Sequence, residues 1–90
     1  MNDSIQYLTK ENLLIVKGLL LPDDWDSLYQ ITQMAICASG SGKEFLIEMD
    51  SRGKELIRHK GFKAVLNGKL KKAGIGRKVI IVDRYEIHSW

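Results

Sequence analysis

The chain has 90 residues, of which 44% are hydrophobic and 28% are charged, and its formal net charge is +3. This length fits one domain with a single core, and the composition is ordinary for a soluble globular protein. The single cysteine, Cys37, excludes an internal disulfide. No window approaches the roughly 18 apolar residues of a membrane span, and no secretory signal pattern is present, so we expect a cytoplasmic protein that does not contact membranes.

Charge is divided unevenly between the two halves of the chain. Residues 1–50 carry three lysines against eight acidic residues, a net charge of −5. Residues 51–90 carry eleven lysines and arginines against three acidic residues, a net charge of +8. Such a dipolar chain can steer a polyanion to one side. It also allows the two halves to pair with each other after folding.

The chain is interpreted as a lead-in segment followed by one domain. Residues 1–11 are polar and form the lead-in segment, and residues 12–90 form the domain. Residues 12–21 are apolar at both odd-numbered and even-numbered positions, which is typical of a strand that is covered on both faces. Gly18 inside this strand predicts a bend or a bulge.

A turn and a second strand are predicted next. Pro22 fixes its own φ, and the aspartates that follow it favour a turn over residues 22–26. Residues 28–38 predict a strand with a bulge near Gln33, where the apolar parity shifts. A helix is the competing interpretation of residues 28–38, because methionine, alanine and glutamine tolerate one.

A short third strand and a short helix follow. Residues 44–49 alternate apolar and polar side chains, the period of a half-buried strand. Either Asp50 or Ser51 can cap a helix over residues 52–60 by accepting from its free N–H groups. Gly61 then suits the left-handed conformation that ends many helices.

The final third of the chain predicts two long strands. Residues 62–71 alternate apolar side chains with lysine and asparagine, and a basic, glycine-containing turn separates them from a β-branched run. We expect Leu66 and Ile81 to be buried in one core. Gly68 predicts a point where another chain segment crosses closely.

The predicted order is three strands, a short helix and two strands. This order, Gly18 in a long first strand, and the segments GFKAVLNGKL and GRKVIIVDRYEI resemble small single-domain bacterial OB-fold proteins over residues 12–87. The resemblance implies a mainly β, five-stranded Greek-key barrel with one short helix between strands 3 and 4. An SH3-like small barrel is the main alternative, and the position of the helix favours the OB-fold.

Motif matches to catalytic or metal sites are incomplete. Residues 39–44 resemble the end of a phosphate-binding loop but lack its first glycine and the hydroxyl residue after its lysine. The aspartates of residues 23–26 lack the spacing of a calcium loop. Cys37, His59 and His88 are too few for a tetrahedral zinc site. No nucleophile, base and orienting group stand together in the pattern, so we expect no metal, no cofactor and no enzymatic activity.

The resemblance implies a binding function. OB-folds commonly hold single-stranded nucleic acid across strands 2 and 3, flanked by the loops between strands 1 and 2 and between strands 4 and 5. Bases stack on aromatic side chains there, and cations follow the phosphates. Tyr29 is the stacking candidate for single-stranded DNA or RNA. The candidate phosphate contacts lie on or beside the last loop: Lys69, Lys71, Lys72, Arg77 and Lys78.

A protein-interaction or self-associating domain is the alternative function. Trp25 lies in an acidic, polar turn where we expect it to be exposed, and an exposed tryptophan often marks a contact with a partner. The placement of the cations distinguishes the two hypotheses. One contiguous basic stripe favours nucleic acid, and interspersed carboxylates favour a protein partner or a second copy of the chain.

Overall fold

The structure is a computed structural model that describes residues 5–8, 12–72 and 76–88. Six strands, one α-helix and one 3-10 segment are described. In chain order they are β1 (Ile5–Tyr7), β2 (Leu13–Trp25), β3 (Ile31–Ala38), β4 (Glu44–Ile47), α1 (Ser51–Glu55), the 3-10 segment (Leu56–His59), β5 (Lys63–Lys72) and β6 (Lys78–His88). Among the described residues, no helix is long and apolar enough to cross a membrane.

Five of the strands close into a mixed β-barrel. β2 pairs with β3, β3 with β4, β5 with β6, and β5 with β2, all in antiparallel fashion. β4 and β6 run parallel to each other, which completes the ring. The protein is therefore mainly β, a small barrel with one short helix between its third and fourth strands. The predicted order of strands and helix is confirmed.

β1 lies outside this ring, in the segment interpreted as a lead-in. It pairs antiparallel with the first half of β2, with Ile5 opposite Val16 and Tyr7 opposite Leu14. Part of residues 1–11 is thus a strand that extends the sheet, rather than only a polar lead-in.

Two glycines allow strands to approach each other closely. A Cβ atom on Gly18 would lie 2.1 Å from the carbonyl oxygen of Cys37, and one on Gly68 would lie 2.1 Å from that of Ile81. β2 changes its neighbours around Gly18, which pairs with both Ala38 of β3 and Ala64 of β5. The φ of Gly18 is not positive, so glycine is required there by space. The close crossing predicted at Gly68 is confirmed.

The turn predicted over residues 22–26 is misplaced. β2 continues through this segment to Trp25, with two register shifts against β3. Proline is tolerated at such irregular positions because no regular ladder hydrogen bond is required of it. The chain reverses over residues 26–30 instead, and β3 begins at Ile31. The strand interpretation of β3 is confirmed and the helix alternative is wrong; the predicted irregularity near Gln33 is confirmed by the register shifts opposite it.

The short helix begins and ends as the sequence predicts. The backbone N–H of Gly53 donates to Oδ1 of Asp50 at 2.9 Å, which makes Asp50 the N-cap. Gly61, after the 3-10 segment, has a φ of +85°. Leu56 is fully buried and joins the helix to the barrel core.

The core fills the barrel and draws on every one of its strands and on the helix. Leu66 is fully buried, as predicted, but Ile81 is only half-buried and lies outside the core cluster. Its neighbours Ile80 and Val82 point inward instead. The run of β-branched residues in β6 has no polar alternation, so the sequence does not reveal which parity faces the core. The core residues are Leu14, Val16, Leu20, Met34, Ile36, Ala38, Phe45, Ile47, Leu56, Ala64, Leu66, Ile80 and Val82.

Candidate functional site

Three large apolar side chains are exposed where β2 turns into β3. Trp25 is 50% exposed, Leu28 is 74% exposed and Tyr29 is 88% exposed. We call these three side chains the turn surface. The exposure expected for Trp25 is observed. Tyr29, which the sequence pattern assigned to a strand, lies in the turn. Apolar exposure concentrated within five residues of chain is typical of a contact site.

The side chain of Asp26 organises the turn. Its Oδ1 atom accepts from the backbone N–H of Leu28 at 2.8 Å and from that of Gln30 at 3.0 Å. Asp26 and Gln30 also form a backbone hydrogen bond of 2.9 Å across the base of the turn. An aspartate that bonds the backbone a few residues ahead is a common way of closing a turn. The turn surface is therefore presented by an ordered loop.

Tyr29 has an unusual backbone conformation. Its φ is +62°, in the left-handed region that costs an ordinary residue roughly 1–2 kcal/mol. Residues held in this way cluster at ligand-binding sites. The side chain of Tyr29 is almost fully exposed, so packing does not explain why a tyrosine occupies this position.

Two of the candidate phosphate-binding cations are paired with carboxylates. Nζ of Lys71 lies 3.4 Å from Glu48. Nη2 of Arg77 lies 3.3 Å from Glu44 and 3.7 Å from Asp23. The pairs with Glu44 and Glu48 follow from the parallel ladder between β4 and β6, which brings Glu44 of β4 and Glu48, the residue after β4, beside the basic end of the β5–β6 hairpin. Exposed pairs of this kind contribute about 0–1 kcal/mol each, but they break up the basic surface.

The other three candidate cations remain at the end of the β5–β6 hairpin. Lys69, Lys72 and Lys78 are exposed, and within the described residues no acidic side chain pairs with them. Lys72 stands directly opposite Lys78 in the ladder. Nζ of Lys78 lies 5.9 Å from the ring centroid of Tyr7, a cation–π arrangement. In the part of the chain that the structure describes, no contact joins Tyr29 to any of the five cations.

The outer face of β3 and β4 offers no stacking surface. Its outward residues in this ladder are Ala35, Cys37, Glu44 and Leu46, with Ala35 opposite Leu46 and Cys37 opposite Glu44. Phe45, the aromatic residue of β4, is 1% exposed and belongs to the core. Nucleic acid that lies across this ladder would therefore meet Ala35, Cys37, Leu46 and the carboxylate of Glu44, without an aromatic ring.

A cavity that the sequence did not predict opens on the outside of β2, β5 and β6. We call it the outer cavity; its volume is about 480 Å³. Leu13, Lys69 and Ile81 form one row across the three strands and line it. The lining also includes Leu8, Asp83 and Arg84. The one sequence signal for this site is the unbroken apolar run in β6. Because side chains alternate between the two faces of a strand, such a run also places an apolar side chain, Ile81, on the outer face.

A hydrogen bond connects the helix to β6. Oη of Tyr85 donates to Oε1 of Glu55 at 2.9 Å. This bond to a carboxylate, together with burial and the charge of Glu55, raises the pKa of Tyr85 above 10.0, and the charges of Arg58 and Arg52 oppose the rise. The imidazole of His59 packs beside Tyr85, with ring centroids 6.1 Å apart. These contacts hold the helix against the barrel.

Within the described ranges, no group of three or more His, Cys, Asp or Glu side chains could hold a metal ion. Comparisons of the chain with protein-family models, with curated proteins and with solved structures find no match.

Proposed function

We propose that the protein is a non-enzymatic binding module built on an OB-type barrel, and that it contacts another protein chain through the turn surface. Support for the OB-type barrel comes from the order of its strands. β2, β3 and β4 are consecutive antiparallel neighbours, and β5 returns through the helix to lie beside β2. We take this order as support for a Greek-key arrangement. The helix between the third and fourth barrel strands is the position expected for an OB-fold.

Tyr29 is the observation that carries the proposed contact. An 88% exposed tyrosine with a φ of +62° contributes nothing to the core and adds backbone strain. Tyrosine and tryptophan are enriched among the residues that dominate binding energies, because they bury a large area at a small cost in side-chain entropy. The ordered turn lowers this cost further, since the backbone is fixed before binding.

The distribution of charge favours a protein partner. Carboxylates of Asp23, Glu44 and Glu48 lie among the cations, which is the arrangement expected for a protein-binding surface rather than for a phosphate track. Asp24 and Asp26 lie on either side of Trp25 in the turn surface and repel a polyanion. A partner with an apolar pocket and a basic rim is complementary to this surface.

Site-specific photo-crosslinking tests the proposal. A photoreactive amino acid at position 28 of the full chain is expected to form a discrete protein adduct in an extract of the source cells, and mass spectrometry identifies the adduct. The matched control carries the same group at position 54, exposed on the helix. Binding of the purified adduct partner is then measured with and without Trp25→Ala. A partner that binds this variant unchanged, or an equal adduct at position 54, argues against the turn surface.

Single-stranded nucleic acid is the second candidate, and the unpaired cations at the hairpin end favour it. Lys72 and Lys78 stand opposite each other at the end of the hairpin, and within the described residues no ion pair involves them or Lys69, although Asp83 lines the outer cavity together with Lys69. If they contact phosphates, changing all three to glutamine should flatten the slope of log affinity against log salt by roughly two units. A fluorescence titration with a single-stranded oligonucleotide at several low salt concentrations measures this slope. A triple glutamine variant on the helix (Lys54, Arg58 and Lys60) is the control; absence of binding at low salt removes this candidate.

A further inference from the structure

We infer that the turn surface docks into the outer cavity of a second copy of this chain. The inference rests on the proposed function and deepens it, because it names the partner and the site on that partner. It predicts head-to-tail association, in which every copy offers one turn surface and one outer cavity.

The outer cavity has the size and the walls to receive apolar side chains. Its volume of about 480 Å³ falls within the range of roughly 300–1,000 Å³ that is usual for binding pockets. Leu13 and Ile81 are only half-buried, and Leu8 is 40% exposed, so each of these side chains has apolar surface left to cover. Leu28 and Tyr29 are the most exposed large apolar side chains of the described chain and are available to cover it.

Charge complements shape at this contact. Lys69 and Arg84 line the outer cavity and outnumber Asp83, the acidic residue of the described lining. Asp24 and Asp26, both exposed, lie on either side of Trp25, and Asp26 comes two residues before Leu28. Opposite potentials of this kind steer encounter and fix orientation, and salt weakens their effect.

The same difference in charge is found between the two halves of the sequence. Residues 1–50, which contain the turn, have a net charge of −5, and residues 51–90, which supply most of the cavity lining, have a net charge of +8. The turn is thus drawn from the acidic part of the sequence, and most of the cavity lining is drawn from the basic part.

The ladder places apolar and cationic side chains side by side in the cavity. Leu13 of β2 pairs with Lys69 of β5, which pairs with Ile81 of β6. A cation thus stands between two aliphatic side chains, spaced by neighbouring strands. On the turn, Leu28 and Tyr29 follow Asp26 after one intervening residue, Ser27. An apolar side chain of the turn can therefore enter beside Ile81 while the carboxylate of Asp26 remains near Lys69.

The proposed contact joins two different surfaces, and this determines which assemblies can form. The turn and the cavity are different surfaces, so the contact is heterologous and leaves one free turn and one free cavity on every dimer. Association then continues to longer chains or closes into a ring. A copy that lacks a functional turn or a functional cavity cannot bind a further copy through that surface, so no copy is added beyond it.

Sedimentation velocity of two complementary variants tests the inference. The turn variant carries Leu28→Ser and Tyr29→Gly, and the cavity variant carries Lys69→Glu and Arg84→Glu. All four side chains are exposed, so both variants should fold, which circular dichroism and urea unfolding check. The natural chain is expected to associate as its concentration rises, and less so at high salt. Each variant alone should associate at least about tenfold more weakly, as expected for the loss of dominant contact residues.

The mixture of the two variants gives the decisive result. Only the cavity of the turn variant and the turn of the cavity variant remain, so an equimolar mixture should form 1:1 dimers and nothing larger. A natural chain that stays monomeric at every concentration overturns the inference, as does a mixture that forms no dimer. Association that requires an added oligonucleotide overturns it as well.

The outcomes also separate this inference from the proposed function. If the natural chain is monomeric while photo-crosslinking at position 28 captures a different protein, self-docking is wrong and the proposed function stands. If crosslinking yields no protein adduct and the chain is monomeric, both are wrong. Crosslinking of position 28 to a peptide that contains residue 69 or 84 of a second copy supports both.

Discussion

The backbone N–H of Tyr29 donates a 3.0 Å hydrogen bond to the carbonyl oxygen of Asp26, and this bond closes the turn while the φ of Tyr29 is +62°. The tyrosine side chain points away from the core and is exposed. The turn geometry is thus set by Asp26, and the aromatic ring of Tyr29 is not needed for it. Stability and binding should therefore respond in opposite ways to a change at position 29.

We predict that Tyr29→Gly leaves the free energy of unfolding unchanged or raises it by up to about 1 kcal/mol. Glycine relieves roughly 1–2 kcal/mol of left-handed strain and loses somewhat less in chain entropy. Tyr29→Val should lower the free energy of unfolding, because a β-branched residue fits a positive φ worst. Urea unfolding of both variants measures these changes. Strong destabilisation by glycine would show that the ring has a structural role.

The turn illustrates what the sequence could and could not predict. Proline and aspartate at residues 22–26 carry ordinary turn signals, yet β2 passes through them with register shifts. The reversal depends on Asp26, whose carboxylate accepts from two backbone N–H groups ahead of it. Nothing in the sequence distinguishes this aspartate from Asp23 or Asp24. A positive φ at Tyr29 was equally hidden, because tyrosine is a strand-favouring residue.

Gly18→Ala should destabilise the protein by about 1–3 kcal/mol or more, the range of overpacked cores. The new methyl group would lie 2.1 Å from the carbonyl oxygen of Cys37, and both atoms belong to paired strands that cannot separate without breaking the ladder. Lys17→Ala, on the exposed side of the same strand, is the control and should stay within about 0.5 kcal/mol. Equal unfolding midpoints in urea for the two variants would contradict the close approach of β2 and β3.

The core residues of β5 and β6 yield a prediction about register. Leu66→Ala and Ile80→Ala should each cost about 2–5 kcal/mol, since both side chains are fully buried. Ile81→Ala should cost clearly less, because Ile81 is half-buried and faces the outer cavity. Urea unfolding with comparable m-values measures the three differences. If Ile81→Ala lowered the free energy of unfolding as much as Ile80→Ala, the assignment of Ile80 to the core face of β6 and of Ile81 to its outer face would be contradicted.

Along the β5–β6 hairpin, local sequence patterns do not predict which face of β6 is buried or which carboxylates pair with the cations. The alternation of β5 is complete, so Leu66 was assigned correctly from the sequence. β6 is apolar on both parities, and only the ladder shows that Ile80 faces inward. The ion pairs of Lys71 and Arg77 depend on β4 lying beside β6, a long-range contact that local patterns do not encode. Fold class was therefore easier to predict than the surface on which function depends.

The hydrogen bond from Tyr85 to Glu55 predicts a pH effect. The neutral phenol donates this bond, so folding raises the pKa of Tyr85 above its unfolded value of 10.0. The resulting stabilisation is fully present below about pH 10 and is lost as the pH rises through the raised pKa. Absorbance titration of phenolate, with Tyr7 and Tyr29 changed to phenylalanine, isolates Tyr85. Glu55→Ala should lower its titration midpoint; an unchanged midpoint would mean that the bond is absent in solution.

The fluorescence emission of Trp25 tests most directly whether the turn surface is buried in a complex. Trp90→Phe leaves Trp25 as the single tryptophan of the chain. Its emission is then recorded in dilute solution, at concentrations where the chain associates, and with any partner captured at position 28. A shift to shorter wavelength in the complex, reduced by Tyr29→Gly, is the predicted result. Unchanged emission in a complex that has formed, or a shift caused only by a single-stranded oligonucleotide, would contradict the proposed contact.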